Sequence, residues 1–230
     1  MGGSRTYPVA IVRELDVDAL AVLSDEEADS GEDDGLQGNQ QYRDMRGITW
    51  DQVADALERE AALIQRFAAA ADLDAEAERY EEERDEAFLP EEDLWGLDIG
   101  VIGATLALSA LGATPFSSCN AGGFGGRHVA LFPHVAFFLP REAAGEVMAI
   151  ADEADVGLDV VEGGIARLYG RKDLDLHRLR PRFDGIWKRS NLDGSGFRPI
   201  SQATGYHSAR ERTLRSSAKG GTRKLTAGAD

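Results

Sequence analysis

The feature that most constrains this 230-residue chain is its most apolar stretch, Ile99–Leu111. It is thirteen residues long, whereas a membrane-spanning helix needs about 20. It therefore reads as a helix buried inside a folded domain. Ile99, Val101, Ile102, Leu106, Leu108 and Leu111 supply its apolar positions. Gly112 follows at a position suited to closing a helix in the left-handed conformation.

Other elements follow from periodicity. Thr49 with Gln52 three positions on is a capping-box pattern. Val53, Leu57, Ile64 and Phe67 then fall on one helical stripe, which predicts a helix over 49–70. Residues 74–88 continue in helical composition with a strongly acidic surface, expected to be a solvated face. Short runs at 114–118, 128–132 and 134–139 read as strands, with Pro115 placing the first at a sheet edge. Pro140 opens a helix at 141–154, and 156–161 and 165–169 read as strands joined at Glu162-Gly163-Gly164. A last basic helix is expected within 173–183. The order implies an α+β fold, a two-layer sandwich with helices on one face of a small mixed or antiparallel sheet. Four regions are expected. They are a mostly disordered acidic segment at 1–46, where 8–12 can form an edge strand, an acidic helical arm at 47–89, a core at 90–187 and a basic flexible tail at 188–230.

Charge narrows the partners. The formal net charge is −16, from 41 acids and 25 Lys and Arg. A field of that sign repels phosphate backbones, which makes nucleic acid a less favoured partner. Residues 1–46 hold eleven acids and four Lys or Arg, whereas 206–230 hold six Lys or Arg and two acids. The single cysteine, Cys119, excludes an intramolecular disulfide. With no apolar leader at the N-terminus, these features predict a cytoplasmic location and no membrane partner.

One segment can carry chemistry, the run from Thr114 to His128. Ser117, Ser118 and Cys119 end a strand. Asn120 and the four glycines Gly122, Gly123, Gly125 and Gly126 form a loop, and Arg127 and His128 follow. Glycine lets backbone amides approach a ligand closely. One reading is an anion or nucleotide pocket, with Ser117, Ser118, Asn120, the four glycines and Arg127 as contacts and His128 transferring protons. The spacing matches neither a P-loop nor a dinucleotide fingerprint. A second reading pairs Cys119 as nucleophile with His128 or His134 as base. A third has Cys119, His128 and His134 hold a metal, although Cys-x8-His-x5-His is no recognised ligand spacing and a metal is not the favoured expectation. The bland alternative is a tight connection with a buried Cys119 and a satisfied His134. Arg171, Lys172, His177, Arg178, Arg180 and Arg182, with Phe183, Trp187, Lys188 and Arg189, form the one basic patch bearing aromatics. It suits a phosphate polymer or the protein's own acidic helix at 76–86.

The run Ser117-Ser118-Cys119 after Thr114, with glycines and Arg127 behind it, resembles the Thr-x-Ser-Ser-Cys-x-Gly-Arg motif of the wybutosine-synthesising tRNA methyltransferase family, that of the third pathway enzyme. The resemblance covers roughly 98–170, and the motif is stretched here by the glycine loop. It implies a related small α+β fold and, as activity, S-adenosylmethionine-dependent methylation of a modified tRNA base. The residues themselves lead to a ligand-binding protein, with or without catalysis, whose cofactor they do not specify. A non-catalytic module that docks protein partners or copies of itself through the helical arm and charged tails is the rival.

Overall fold

A computed structural model describes residues 5–125 and 130–179, with Phe183 and Gly185, all within the compact unit Met1–Pro199. Along the chain these residues form β1 (Arg13–Glu14), α1 (Asp25–Asp34), α2 (Trp50–Ala69), α3 (Leu73–Asp85), α4 (Ile102–Ala110), β2 (Thr114–Cys119), β3 (His134–Phe138), α5 (Ala144–Glu153), β4 (Gly157–Val161) and β5 (Ile165–Tyr169). The fold is α+β, as expected. One mixed sheet has the order β1-β4-β5-β3-β2. Its neighbours pair antiparallel, except β1, which runs parallel to β4. Strand β2 occupies an edge, where Pro115 costs least.

Helix α4 is buried at every position from Ile102 to Ser109 because it is lodged between the sheet and α2. Small residues make this possible. A Cβ on Gly103 would overlap Leu57 of α2, so glycine sets the interhelical distance. The helix closes as its sequence predicts. Gly112 is left-handed at φ +89°, and Ala113 N–H donates to Leu108 O at 3.0 Å. Val135, Phe137, Leu158, Ala166 and Leu168 line the sheet face beneath, and α5 adds Val147, Ile150 and Ala151 to the same core.

Two regional expectations change. The 47–89 region is no separate arm. Helix α2 starts with the predicted Thr49–Gln52 capping box and buries Val53, Leu57 and Phe67 in the main core. Helix α3 buries Tyr80 edge-on against Phe67, with ring centroids 6.0 Å apart. Nor are the described residues of the 1–46 segment disordered. Ser24 and Glu27 form a second capping box, which starts α1. Leu36 and Tyr42 meet Ala136, Phe138 and Ile165 in a small core on the sheet's other face. Arg46 binds Asp25, Asp29 and Asp44 together, so one cation ties the start of α1 to the loop that follows it and offsets part of the local acid excess. The early strand lies at Arg13–Glu14 rather than 8–12. Residues 130–133 are irregular, and 128–129 lie outside the described residues. Helix 141–154 begins as a 3-10 turn at Arg141–Ala143. Within 173–183 the described helical turn is His177–Leu179. The tail at 188–230 lies outside the described residues.

Candidate ligand site at the end of strand β2

Strand alternation sorts the first three candidate residues onto two faces. Ser118 pairs with Val135 and falls on the helix-packed side. Ser117 and Cys119 pair with Ala136 and His134 and fall on the other. Ser117 and Ser118 thus do not converge on one ligand from within the strand. Cys119 and His134 are brought directly opposite one another, which is one of the two pairings the nucleophile reading allows and part of the set the metal reading needs. Their electrostatics run against an ion pair. Burial pushes the Cys119 thiol up. Burial also pushes the His134 imidazole down, and the Arg167 guanidinium adds to this. Among the described residues, no group of three or more His, Cys, Asp and Glu side chains could hold a metal ion.

Beyond Cys119 the loop is organised by Asn120, which is fully buried. Its Nδ2 donates to Ile99 O at 3.0 Å and to Gly123 O at 2.7 Å. Its Oδ1 accepts the Gly122 N–H at 3.0 Å, and its own N–H donates to Asp98 Oδ2 at 3.3 Å. The Ala121 N–H donates to Cys119 Sγ at 3.3 Å, and the Gly123 N–H to Asn120 O at 3.2 Å. The amides of Ala121, Gly122 and Gly123 therefore bind within the loop rather than facing an anion. Phe124 stacks edge-on against Phe67 at 5.9 Å, and Gly125 sits where a Cβ would meet Ala77 of α3. Gly126, Arg127 and His128 lie outside the described residues.

The backbone here is strained. Among the described residues six non-glycine residues have positive φ, and four of them are Leu94, Trp95, Ala121 and Phe124. Each such residue costs of order 1–3 kcal/mol and persists only where its surroundings enforce it. The two loops that carry them touch. Asn120 binds Ile99, and the Phe124 ring lies 3.7 Å from the Cβ position of Gly100.

Periodicity reasoning passed over a second constellation. Glu60 of α2 is completely buried. Val101, the residue that caps the N-terminus of helix α4, supplies no capping side chain, and Glu60 takes that role from outside. Its Oε1 accepts the N–H groups of Gly100 (2.9 Å) and Ile102 (3.0 Å), and its Oε2 that of Gly103 (3.1 Å). Such an anion at a helix N-terminus also meets the favourable end of the dipole. His177 Nδ1 stands 3.0 Å from Oε2. A carboxylate only accepts, so Nδ1 carries the hydrogen and Nε2 is the ring's second polar site. The signal was present, because Glu60 lies between Leu57 and Ile64 on the apolar stripe of α2, where a carboxylate is out of place.

The N-terminal residues close over the same region. Asp173 accepts the Arg5 N–H at 2.8 Å and the Tyr7 hydroxyl at 2.6 Å, and Arg5 Nη1 donates to Gly122 O at 3.0 Å. Burial, then Asp173, pushes the Tyr7 hydroxyl up to about 12, so it stays a donor at neutral pH. In the basic patch, Arg171 pairs with Asp155 at 2.7 Å and Arg178 with Asp175 at 3.4 Å, and Phe183 is buried. Of the 76–86 acids, Glu76 and Glu83 bind Arg66 rather than a residue of this patch. Arg180, Arg182, Trp187, Lys188 and Arg189 lie outside the described residues. No helix among the described residues is long and apolar enough to cross a membrane. Comparison of the chain with family models, with curated proteins and with solved structures gives no match in any of the three.

Proposed function

We propose that the paired loops 94–100 and 119–125 form a small-molecule site. The ligand is an anion or a nucleotide whose charge is met by Arg127, with His128 as the proton-transfer group. The strain carries this reading. A chain reversal has no need of Ala121 and Phe124 in the left-handed region, since glycines stand beside both of them. Strain of this kind clusters at ligand sites, where rigid surroundings enforce it. The internally bonded amides of Ala121, Gly122 and Gly123 shift anion recognition from the loop backbone to the Arg127 side chain. Catalysis by Cys119 and methyl transfer from S-adenosylmethionine belong to the same site as narrower versions of the proposal.

The test is thermal unfolding of the protein and of its Arg127→Ala variant with inorganic phosphate, mono- to trinucleotides and S-adenosylmethionine. A ligand at 100 times its Kd adds about 2.7 kcal/mol of stability. At least one compound is expected to stabilise the parent protein and to lose that effect in Arg127→Ala. Equal stabilisation of both proteins, or of neither by every compound, removes the proposal.

One observation favours the protein-docking reading. Phe88 is 94% exposed and Leu89 52% exposed. Both sit on a turn whose amides donate to Glu92, while Arg59 grips the carbonyls of Glu91 and Glu92. Size measurement of Phe88→Asp against the parent at low and high salt tests self-association. A larger species lost in the variant supports docking of copies, and identical monomers remove it.

A further inference from the structure

The peptide bond between Ile99 and Gly100 is held at both ends. Its carbonyl accepts from Asn120 Nδ2, and its N–H donates to Glu60 Oε1. Glu60 in turn holds His177. One unbroken path of hydrogen bonds therefore joins His177 to the glycine loop through the protein interior. A second path joins the same two segments across the surface, from Asp173 to Arg5 and from Arg5 to Gly122 O. The residues from Gly170 to Leu179 thus grip the loop from inside and outside. They are themselves seated by Leu176 and Leu179, which are buried in the main core.

We infer that the 170–179 segment controls opening of the glycine loop, with His177 and Glu60 as the positioning pair on its inner side. When the segment shifts, both bridges loosen together and the loop from Cys119 to Gly123 becomes accessible. The biological consequence, regulated access, rests on the ligand-site reading above, whereas the mechanical coupling does not. Hydrogen bonds of this kind carry coupling when they form a contiguous set between elements that move as units.

Cys119 is a built-in reporter, because it is the only cysteine and its side chain is buried at the loop's start. Its labelling rate with iodoacetamide, measured without any ligand, reads the frequency of loop opening. The variants are His177→Ala, His177→Asn, Tyr7→Phe and, as a core change remote from both bridges, Val147→Ala. Relative to Val147→Ala, His177→Ala is expected to label about tenfold faster, the effect of a local opening made easier by one hydrogen-bonded bridge. His177→Asn keeps an N–H donor near the Nδ1 position and is expected to return most of the way to the parent rate. Tyr7→Phe removes the hydroxyl that holds Asp173, the anchor of the outer bridge, and is expected to label about threefold faster than the parent. It also stands in for His177→Ala if that variant fails to fold. Equal rates in His177→Ala and Val147→Ala, or no rescue by His177→Asn, would overturn the inference, as would a parent-like rate in Tyr7→Phe. Because no ligand is present, failure here leaves the Arg127 result untouched, and the reverse holds.

Discussion

The hairpin turn between β4 and β5 and the loop after β2 both redirect the chain at the sheet, but by opposite means. The hairpin turn places Gly163 and Gly164 at φ +83° and +75°, so the left-handed residues are the two that adopt this conformation without strain. The loop after β2 is richer in glycine, yet it places Ala121 and Phe124 at φ +58° and +50°. It then fixes them with a buried asparagine, a clamped peptide bond and a carboxylate in the core. The first turns on glycine alone, although Gly164 O also accepts the Ala21 N–H at 2.9 Å. The second is a connection with additional structure that chain reversal does not require, and this difference singles it out as the candidate site.

Changes to these two turns, and to what supports them, sharpen the contrast. The largest effect is expected from Glu60→Ala. It leaves three buried N–H groups without their acceptor, and each buried donor left unsatisfied costs about 1–3 kcal/mol. Denaturant unfolding measures the loss. Hydrogen exchange should show early opening of the α4 N-terminus and residues 119–123, while the β4–β5 hairpin amides follow global unfolding only. Uniform opening across both regions would remove the special status of the β2 loop.

An intermediate effect is expected from Gly163→Ala. The added Cβ meets nothing closer than 3.7 Å, so the cost is conformational, about 1–2 kcal/mol for a left-handed alanine. A neutral result would mean that positive φ is inexpensive in this fold, and the contrast between the turns would lose its meaning. The smallest effect concerns pH. His134 has its ordinary pKa lowered by burial, so the unfolded chain binds the proton more readily. Its stabilising contribution is present above the unfolded value of about 6.5 and is lost as pH falls through the folded value. Stability should therefore fall between pH 7.5 and 5.5, and fall less in His134→Gln. Parallel pH curves for the two proteins would place His134 in a solvated setting.

Much of the fold was legible in the sequence because its signals are local. The buried helix, its Gly112 closure, the Thr49 cap, the edge strand with Pro115 and the Gly163-Gly164 hairpin each follow from a few neighbouring residues. What composition obscured was α1. Ser24 and Glu27 carry the same capping signature as Thr49 and Gln52, but the acid-rich stretch around them suggested a chain without enough apolar surface to fold. Arg46, Tyr42 and the outer sheet face supply what α1 lacks, and none of these is adjacent in sequence. The site was legible only in part. The glycine loop announced itself, but its amides turned out to be bonded internally because Asn120 is buried, and burial is a tertiary property. Glu60 and His177 are 117 residues apart, and only the polar position within an apolar stripe hinted at the first of them.

The central claim is that strain in the β2 loop is maintained for binding rather than for folding. The most direct measurement is Ala121→Gly, examined for unfolding free energy and for stabilisation by whichever anion or nucleotide acts on the parent protein. Relief of a left-handed alanine should raise stability by about 1 kcal/mol while the ligand-induced gain shrinks. A variant that loses stability, or that gains it with ligand stabilisation unchanged, would contradict the claim.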